Sequence, residues 1–290
     1  MGKLYVIATP IGNLKDITFR ALETIEECDI LAVEDTRHTL KLLNHYNIKK
    51  KMISYHKYNE KERVNLILDL LKNKNLNVGL LTNAGTPCIS DPGYIIVKCA
   101  RENGIEVVPI PGPSAITTAL SISGLPSNQF LFYGFLPNKK TEREKILTKI
   151  KNTKVETIIF FESPKRITNL MNLLKDFFPK STVCVCNELT KMFEKVYYGN
   201  IDKVVEEIEN NPHKEMGEYT VIIYYNPEEE PSKLNLSVEA LIINELVTNN
   251  LSLKEAINLV SKKYGISKKE VYNKAINLRN KILNNGGGNL

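Results

Sequence analysis

What this sequence lacks narrows its chemistry before anything it contains. Its five cysteines, Cys28, Cys88, Cys99, Cys184 and Cys186, are odd in number and form no C-x-x-C pair, and its four histidines are scattered. That spacing argues against both a disulfide framework and a zinc site, so no metal is expected. No apolar run reaches the ~18 residues a membrane helix requires. Met1-Gly2-Lys3 leads directly into an apolar stretch, which leaves no room for a signal peptide and makes the cytoplasm the expected location. Two nucleotide fingerprints are also missing: no G-x-G-x-x-G follows the first strand, and no G-x-x-x-x-G-K-[ST] occurs in the chain. Their absence argues against a nicotinamide cofactor or a nucleoside triphosphate.

What is present describes a globular chain of 290 residues, 42% hydrophobic and 25% charged, long enough for two α/β domains and a small appendage. The net charge of +6 is unevenly placed. From Lys233 onward nine Lys or Arg face four Glu, while the preceding residues hold 30 against 29. The basic excess therefore sits in the tail.

The chain is organised around residues 80–93, Leu-Leu-Thr-Asn-Ala-Gly-Thr-Pro-Cys-Ile-Ser-Asp-Pro-Gly. An apolar run at 78–81 reads as a buried strand, and apolar spacing from Tyr94 reads as a helix. The loop between them carries far more turn chemistry than the two to six residues such connections usually take. In a parallel sheet, ligands bind beyond the carboxyl ends of the strands, where glycines let backbone amides approach a substrate.

Taken in order, residues 4–8 read as a strand followed by Thr9-Pro-Ile-Gly-Asn-Leu14, with Asp16 capping a helix to Glu27 that buries Phe19, Leu22 and Ile25. A strand at 30–33 ends in Glu34-Asp-Thr-Arg-His38, which reads either as site chemistry at a strand end or as an acidic helix N-terminus. Residues 55–60, Tyr-His-Lys-Tyr-Asn-Glu, suit RNA contact or a solvated loop equally. A strand at 107–110 leads to Pro111-Gly-Pro-Ser114, with Ser114 as the N-cap of a small-residue helix. The alternation then resumes. Strands are expected at 130–133, 157–161, 182–186, 196–198 and 220–225, with helices at 140–150, 164–177 and 201–210. The reading is two consecutive α/β domains, residues 1–123 and 124–226, with a mainly parallel sheet each.

Beyond a linker at 226–233, Ser252-Leu-Lys-Glu255 and Ser267-Lys-Lys-Glu270 are capping boxes separated by Gly265-Ile266. This is helix-turn-helix spacing in a small unit spanning 234–283, whose second helix carries Lys268, Lys269, Lys274 and Arg279, a pattern that suits nucleic acid. The three-glycine end, 284–290, reads as disordered.

Seven segments in matching order, 4–18, 34–37, 84–87, 90–93, 109–114, 134–137 and 161–164, resemble the tetrapyrrole methylase superfamily, specifically its members that methylate the cytidine ribose 2′-O of small-subunit ribosomal RNA. The resemblance runs from about residue 4 to 225. It implies S-adenosylmethionine bound between two α/β domains, ribosomal RNA or an assembled small subunit as substrate, and a homodimer. Cofactor contacts then fall on Thr9, Pro10, Ile11, Asn83, Ala84, Gly85, Thr86, Pro87, Ser114 and Ala115. For a base, Asp35 and Asp91 rank above Glu162, with Arg37 holding a phosphate or orienting the acid. Arg37, Lys139, Lys140, Lys165, Arg166, Lys268, Lys269 and Lys274 are the expected RNA contacts. One position departs from the family: Asn83 stands where relatives usually carry Asp before Ala-Gly-Thr-Pro, and Asn cannot act as a base. Two alternatives stay open, a precorrin or uroporphyrinogen methyltransferase on the same fold and a non-enzymatic nucleic-acid-binding protein.

Overall fold

The computed structural model describes residues 1–226, 237–249 and 251–285. Its contacts divide the chain into two compact units, Met1–Pro227 and Glu228–Leu290.

The first unit begins with five short apolar strands, β1 (Leu4–Ile7), β2 (Ile30–Val33), β3 (Lys51–Ser54), β4 (Val78–Leu81) and β5 (Val107–Ile110). Helices α1 (Phe19–Glu27), α2 (Thr36–His45), α3 (Glu60–Lys72) and α4 (Tyr94–Glu102) connect them. Each strand-helix-strand crossover returns the chain in the same direction, so all four pairings are parallel, in the order β3-β2-β4-β1-β5. β1 and β4 are neighbours, which brings the loops leaving them together at the carboxyl edge. The start of α1 differs from expectation. Thr18, not Asp16, accepts from the Ala21 amide as N-cap, and Asp16 ends a 3-10 turn, Leu14–Asp16. The buried face is consequently Ala21, Thr24 and Ile25, while Phe19 is 87% exposed.

After α5 (Ala115–Ile122), a second sheet is built from β6 (Phe130–Phe135), β7 (Thr157–Glu162), β8 (Thr182–Asn187), β9 (Lys195–Asn200) and β10 (Tyr219–Tyr224). Helices α6 (Lys140–Asn152), α7 (Ile167–Phe177) and α8 (Ile201–Glu209) lie between them. Here the expectation of a mainly parallel sheet is corrected. The order is β6-β7-β10-β8-β9, and only β6–β7 is parallel. The helical crossovers α6 and α7 do keep β6, β7 and β8 pointing the same way. No helix separates β8 from β9, so the chain turns back antiparallel, and β10 enters against the grain between β7 and β8.

One core cluster joins the two halves of this unit. Ile11 and the α5 side chains Ile116, Ala119 and Leu120 pack with Leu125 against Ile159, Cys184, Cys186, Leu189 and Ile222 of the second half. Burying each of the large aliphatic side chains stabilises by roughly 1.5–3 kcal/mol.

Among the described residues of the second unit there are three helices, α9 (Val238–Thr248) ahead of α10 (Leu253–Tyr264) and α11 (Lys268–Asn285), around Leu241, Ile242, Ala256, Ile257, Val260, Val271 and Ala275. The Ser252–Glu255 capping box is complete, and Gly265 closes α10 in the left-handed region at φ +67°. The Glu270 amide donates to Ser267 Oγ at 3.2 Å. The linker at 227–233, the Arg279 side chain and the 286–290 end lie outside the described residues; residues 284 and 285 belong to α11.

Candidate active site

The loop 82–93 that follows β4 is held open in an unusual shape. Cys88 and Ser90 sit at φ +71° and +68°, a left-handed conformation that costs a non-glycine residue on the order of 1–3 kcal/mol and marks functional loops. Three anchors sustain it. Thr9 is 2% exposed and exchanges both backbone hydrogen bonds with Gly85, at 2.9 and 3.0 Å, while its hydroxyl donates to the Thr82 carbonyl at 3.1 Å. Glu60 Oε1 accepts from the Gly93 amide at 2.8 Å and from the buried Tyr55 hydroxyl at 3.0 Å. Gly93 is at φ +136°, where a Cβ would come within 2.6 Å of Cys88 Sγ.

A cleft of about 460 Å³ opens between this loop and the second sheet. Of the residues expected to hold a cofactor, Ile11, Asn83, Ala84, Gly85, Thr86, Ser114 and Ala115 line it; Thr9, Pro10 and Pro87 do not. Thr9 instead ties the first loop to the central one. Ser114 is the N-cap residue of α5 but its side chain makes no capping bond, which leaves that hydroxyl and the first-turn amides of α5 at the cleft.

The candidate catalytic residues separate clearly. Asp91 lines the cleft, and burial together with the negative charges of Glu34 and Glu218 pushes its carboxyl up to about 6. Glu162 also lines the cleft, 1% exposed, but it is clamped between the Arg166 guanidinium at 2.5 Å and that of Arg143 at 3.9 Å. Asp35 and Arg37 lie outside the lining. Asp35 caps α2 by accepting from the Arg37 amide at 2.8 Å and pairs with the Arg37 side chain at 3.0 Å. Those bonds hold its carboxyl down to about 2, which makes it a very weak base.

Sequence reasoning placed Glu34 in a stretch of possible site chemistry but gave the catalytic role to its neighbour Asp35. Glu34 Oε2 accepts from the Thr82 hydroxyl at 2.9 Å and from the Asn83 amide at 3.2 Å. The motif segments 90–93, 134–137 and 161–164 supply Ser90, Phe135, Phe161, Ser163 and Pro164 to the lining, none of which was given a role from sequence, and Glu188, Leu189, Lys191, Glu218, Tyr219 and Thr220 complete a wall from the second sheet. The loop 188–191 closes on the first half: the Asn13 amide donates to Thr190 Oγ1 at 3.1 Å, and Gly12 lies so close that a Cβ would meet the Leu189 carbonyl at 2.8 Å.

The expected RNA contacts are outside the cleft. Lys139 and Lys140 are exposed and pair with Glu142 and Glu144 at 3.4 and 3.9 Å, and Lys165 is exposed. Arg166 is turned inward on Glu162, Ser163 and Asn138. In the second unit Lys268 and Lys269 are exposed, and Lys274 pairs with Glu239 at 3.2 Å.

Comparison with known proteins decides the family. The sequence profile of the tetrapyrrole (corrin/porphyrin) methylases matches residues 3–205. This chain belongs to that family. Among methylases of known name it is similar to the "Ribosomal RNA small subunit methyltransferase I" of Halalkalibacterium halodurans, 41% identical with 94% of each chain covered. The protein of the same name in Haemophilus influenzae is 39% identical, over 93% of this chain and 95% of that one. Among solved methylases, the uroporphyrin-III C-methyltransferase from Thermus thermophilus, complexed with S-adenosylhomocysteine, shares the fold at a TM-score of 0.52 and 17% identity, covering 76% of this chain and 97% of that one. The family motif loops, 9–14, 82–93 and 111–115, are those that converge on the cleft.

The site's chemistry fits the methyl donor of this family. Asn83 Oδ1 is buried with no hydrogen-bond partner, an acceptor that an adenine amino group, a ribose hydroxyl or an ammonium satisfies. Five carboxylates and one cation, Lys191, line the cleft, and with Glu162 paired to Arg143 and Arg166 a net negative charge remains, which suits a ligand bearing a sulfonium charge. No group of His, Cys, Asp and Glu able to hold a metal is found among the described residues.

Proposed function

We propose that this chain is an S-adenosylmethionine-dependent methyltransferase acting on the ribose 2′-oxygen of a cytidine in small-subunit ribosomal RNA. The observation that carries the reading is the acidic cleft assembled by the family's motif loops, in a chain about 40% identical over nearly its whole length to proteins named for ribosomal RNA methylation. Ile11, Ala84, Thr86, Asn83, Ser114 and Ala115 hold the donor, with the uncapped first turn of α5 suited to its carboxylate. Bound there, S-adenosylmethionine supplies an electrophilic methyl group on a cationic sulfur. Asp91 is the proton acceptor for the ribose hydroxyl, since a carboxyl raised to about 6 is ionised at neutral pH yet a better base than Asp35. Holding the two reactants in line contributes ~7–11 kcal/mol, and the base a further 10²- to 10⁴-fold. Glu162, neutralised by two guanidinium groups, shapes the Ser163-Pro164 wall.

Lys139, Lys140, Lys165, Lys268 and Lys269 contact RNA phosphates in this reading, and the exposed apolar side chains Phe19, Met192 and Phe193 suit a homodimer. No helix among the described residues is long and apolar enough to cross a membrane, which accords with a cytoplasmic enzyme. Calorimetry with S-adenosylmethionine and nucleoside mapping of ribosomal RNA from cells with and without the protein test the proposal. A single 2′-O-methylated cytidine is expected to vanish with the gene. Its persistence, or the absence of binding heat, overturns the proposal.

A further inference from the structure

Glu34 and Asp91 differ from the other carboxylates of the cleft. Glu162 is paired with Arg143 and Arg166, while Glu188 and Glu218 share Lys191, at 2.6 and 3.3 Å. No cation pairs with Glu34 or Asp91 among the described residues. The two come from different elements, Glu34 from the end of β2 and Asp91 from the loop after β4, and both line the cleft. Thr82 and Asn83 stand between them in the chain's architecture: Glu34 Oε2 takes the Thr82 hydroxyl and the Asn83 amide, and its Oε1 has no protein partner among the described residues.

A carboxylate fixed by two donors beside an uncompensated acid has two consequences. It orients the stretch 82–83, from which the central loop departs, and it makes the neighbouring acid reluctant to remain ionised. We propose that Glu34 is a positioning residue for methyl transfer, which fixes Thr82 and Asn83 and by its charge makes Asp91 the effective proton acceptor of the cleft. This inference rests on the methyltransferase reading with Asp91 as base. The step balances simply. The ribose O–H bond breaks, its proton passes to an Asp91 oxygen, the oxygen's electron pair forms the new O–CH3 bond, and the sulfur leaves with the pair of its broken S–CH3 bond. Asp91 then returns the proton to water.

The groups that face Asp91 from the elements packed around it are few. Glu34 follows β2, Cys88 comes from its own loop and Glu218 from the segment before β10, while the Thr82 hydroxyl, a neutral group among them, gives its one proton to Glu34 Oε2. Cys88 is neutral near pH 7, since burial raises its thiol to about 11. Glu218 has Lys191 at 3.3 Å, so Glu34 is the uncompensated charge acting on Asp91.

The test is the pH profile of single-turnover methyl transfer in the full-length protein, with S-adenosylmethionine affinity measured in parallel. The wild type is expected to lose activity as pH falls through about 6. Glu34→Gln keeps an acceptor for Thr82 and Asn83 but deletes the charge, and is expected to move that limb down by about one pH unit while lowering the plateau rate roughly 10-fold, as a weaker base requires. Thr82→Val removes the hydroxyl that fixes Glu34 and partly neutralises its charge, and is expected to move the limb up, which keeps the test alive if Glu34→Gln does not fold. Asp91→Asn separates the two layers of the argument. If it keeps the limb, Asp91 is not the base and the underlying reading fails. If it abolishes the limb but Glu34→Gln leaves the limb in place, or where that variant does not fold Thr82→Val does, the role of Glu34 is overturned alone.

Discussion

Asp91→Asn is expected to make the protein more stable while making it inactive. Burial and the neighbouring charges raise the Asp91 carboxyl from 3.8 to about 6. A carboxyl raised on folding costs stability wherever it is ionised. The folded state binds its proton more tightly than the unfolded chain, so the contribution is fully favourable below the unfolded value near 3.8 and is lost as pH rises through 6. Two units correspond to about 3 kcal/mol at most. Asp91 is only half-buried, and solvent screening reduces this to roughly 1–2 kcal/mol. Asparagine removes the charge at nearly constant shape. The variant should therefore gain about 1–2 kcal/mol at pH 8, read from urea unfolding midpoints, with the gain shrinking toward zero near pH 4. Its single-turnover rate should fall 10²-fold or more. A variant at pH 8 no more stable than the wild type would refute the view that the fold holds this acid at a cost for the sake of its basicity.

Other substitutions probe the cleft from different sides. Ser114→Ala should leave thermal stability unchanged, against the ~1 kcal/mol an N-cap usually contributes, because its side chain makes no capping bond; S-adenosylmethionine affinity by calorimetry should fall. Gly12→Ala should destabilise by about 1–3 kcal/mol and weaken donor binding, since its Cβ would strike the Leu189 carbonyl and Thr190 Oγ1, both at 2.8 Å; a melting scan with and without ligand reads both effects. Replacing Lys268 and Lys269 together by Ala should reduce the salt slope of RNA binding by up to about 1.8, two phosphate contacts' worth, with donor affinity unchanged. An unaltered slope in a filter-binding titration would remove the second unit from the RNA interface.

The central loop was legible in the sequence because its signals are local. A four-residue apolar run, two glycines and two prolines, then helical spacing, need no tertiary information to be read as a strand-loop-helix crossing. The direction of β10 was not legible. Its own residues, Tyr219–Tyr224, say only that both faces are buried, and whether it enters parallel or antiparallel depends on the partners β7 and β8, far away in the chain. Glu34 and Asp35 show the same limit at the level of single side chains. Two adjacent acids at a strand end point to different sides, and only the fold decides that Glu34 reaches Thr82 while Asp35 turns outward to cap α2. The wall formed by 188–191 and 218–220 was hidden for a further reason: its members meet only because Glu188 and Glu218 exchange hydrogen bonds where β8 and β10 end and begin.

Charge bears on Asn83, where the resemblance to the family leads one to expect Asp. The carboxylates from the second sheet are balanced by Arg143, Arg166 and Lys191, so the net negative charge of the cleft comes from Glu34 and Asp91. Asn83 lines the same cleft, its amide already bound to Glu34 and its Oδ1 buried without a partner. Two like charges 4 Å apart at a protein surface repel by roughly 4 kcal/mol. A third carboxylate at position 83 would thus raise Asp91 further or itself take up a proton, unless a bound cation compensated it. Asparagine keeps the buried acceptor oxygen and adds no charge, which in the proposed mechanism leaves Asp91 ionised near neutral pH and able to take the proton.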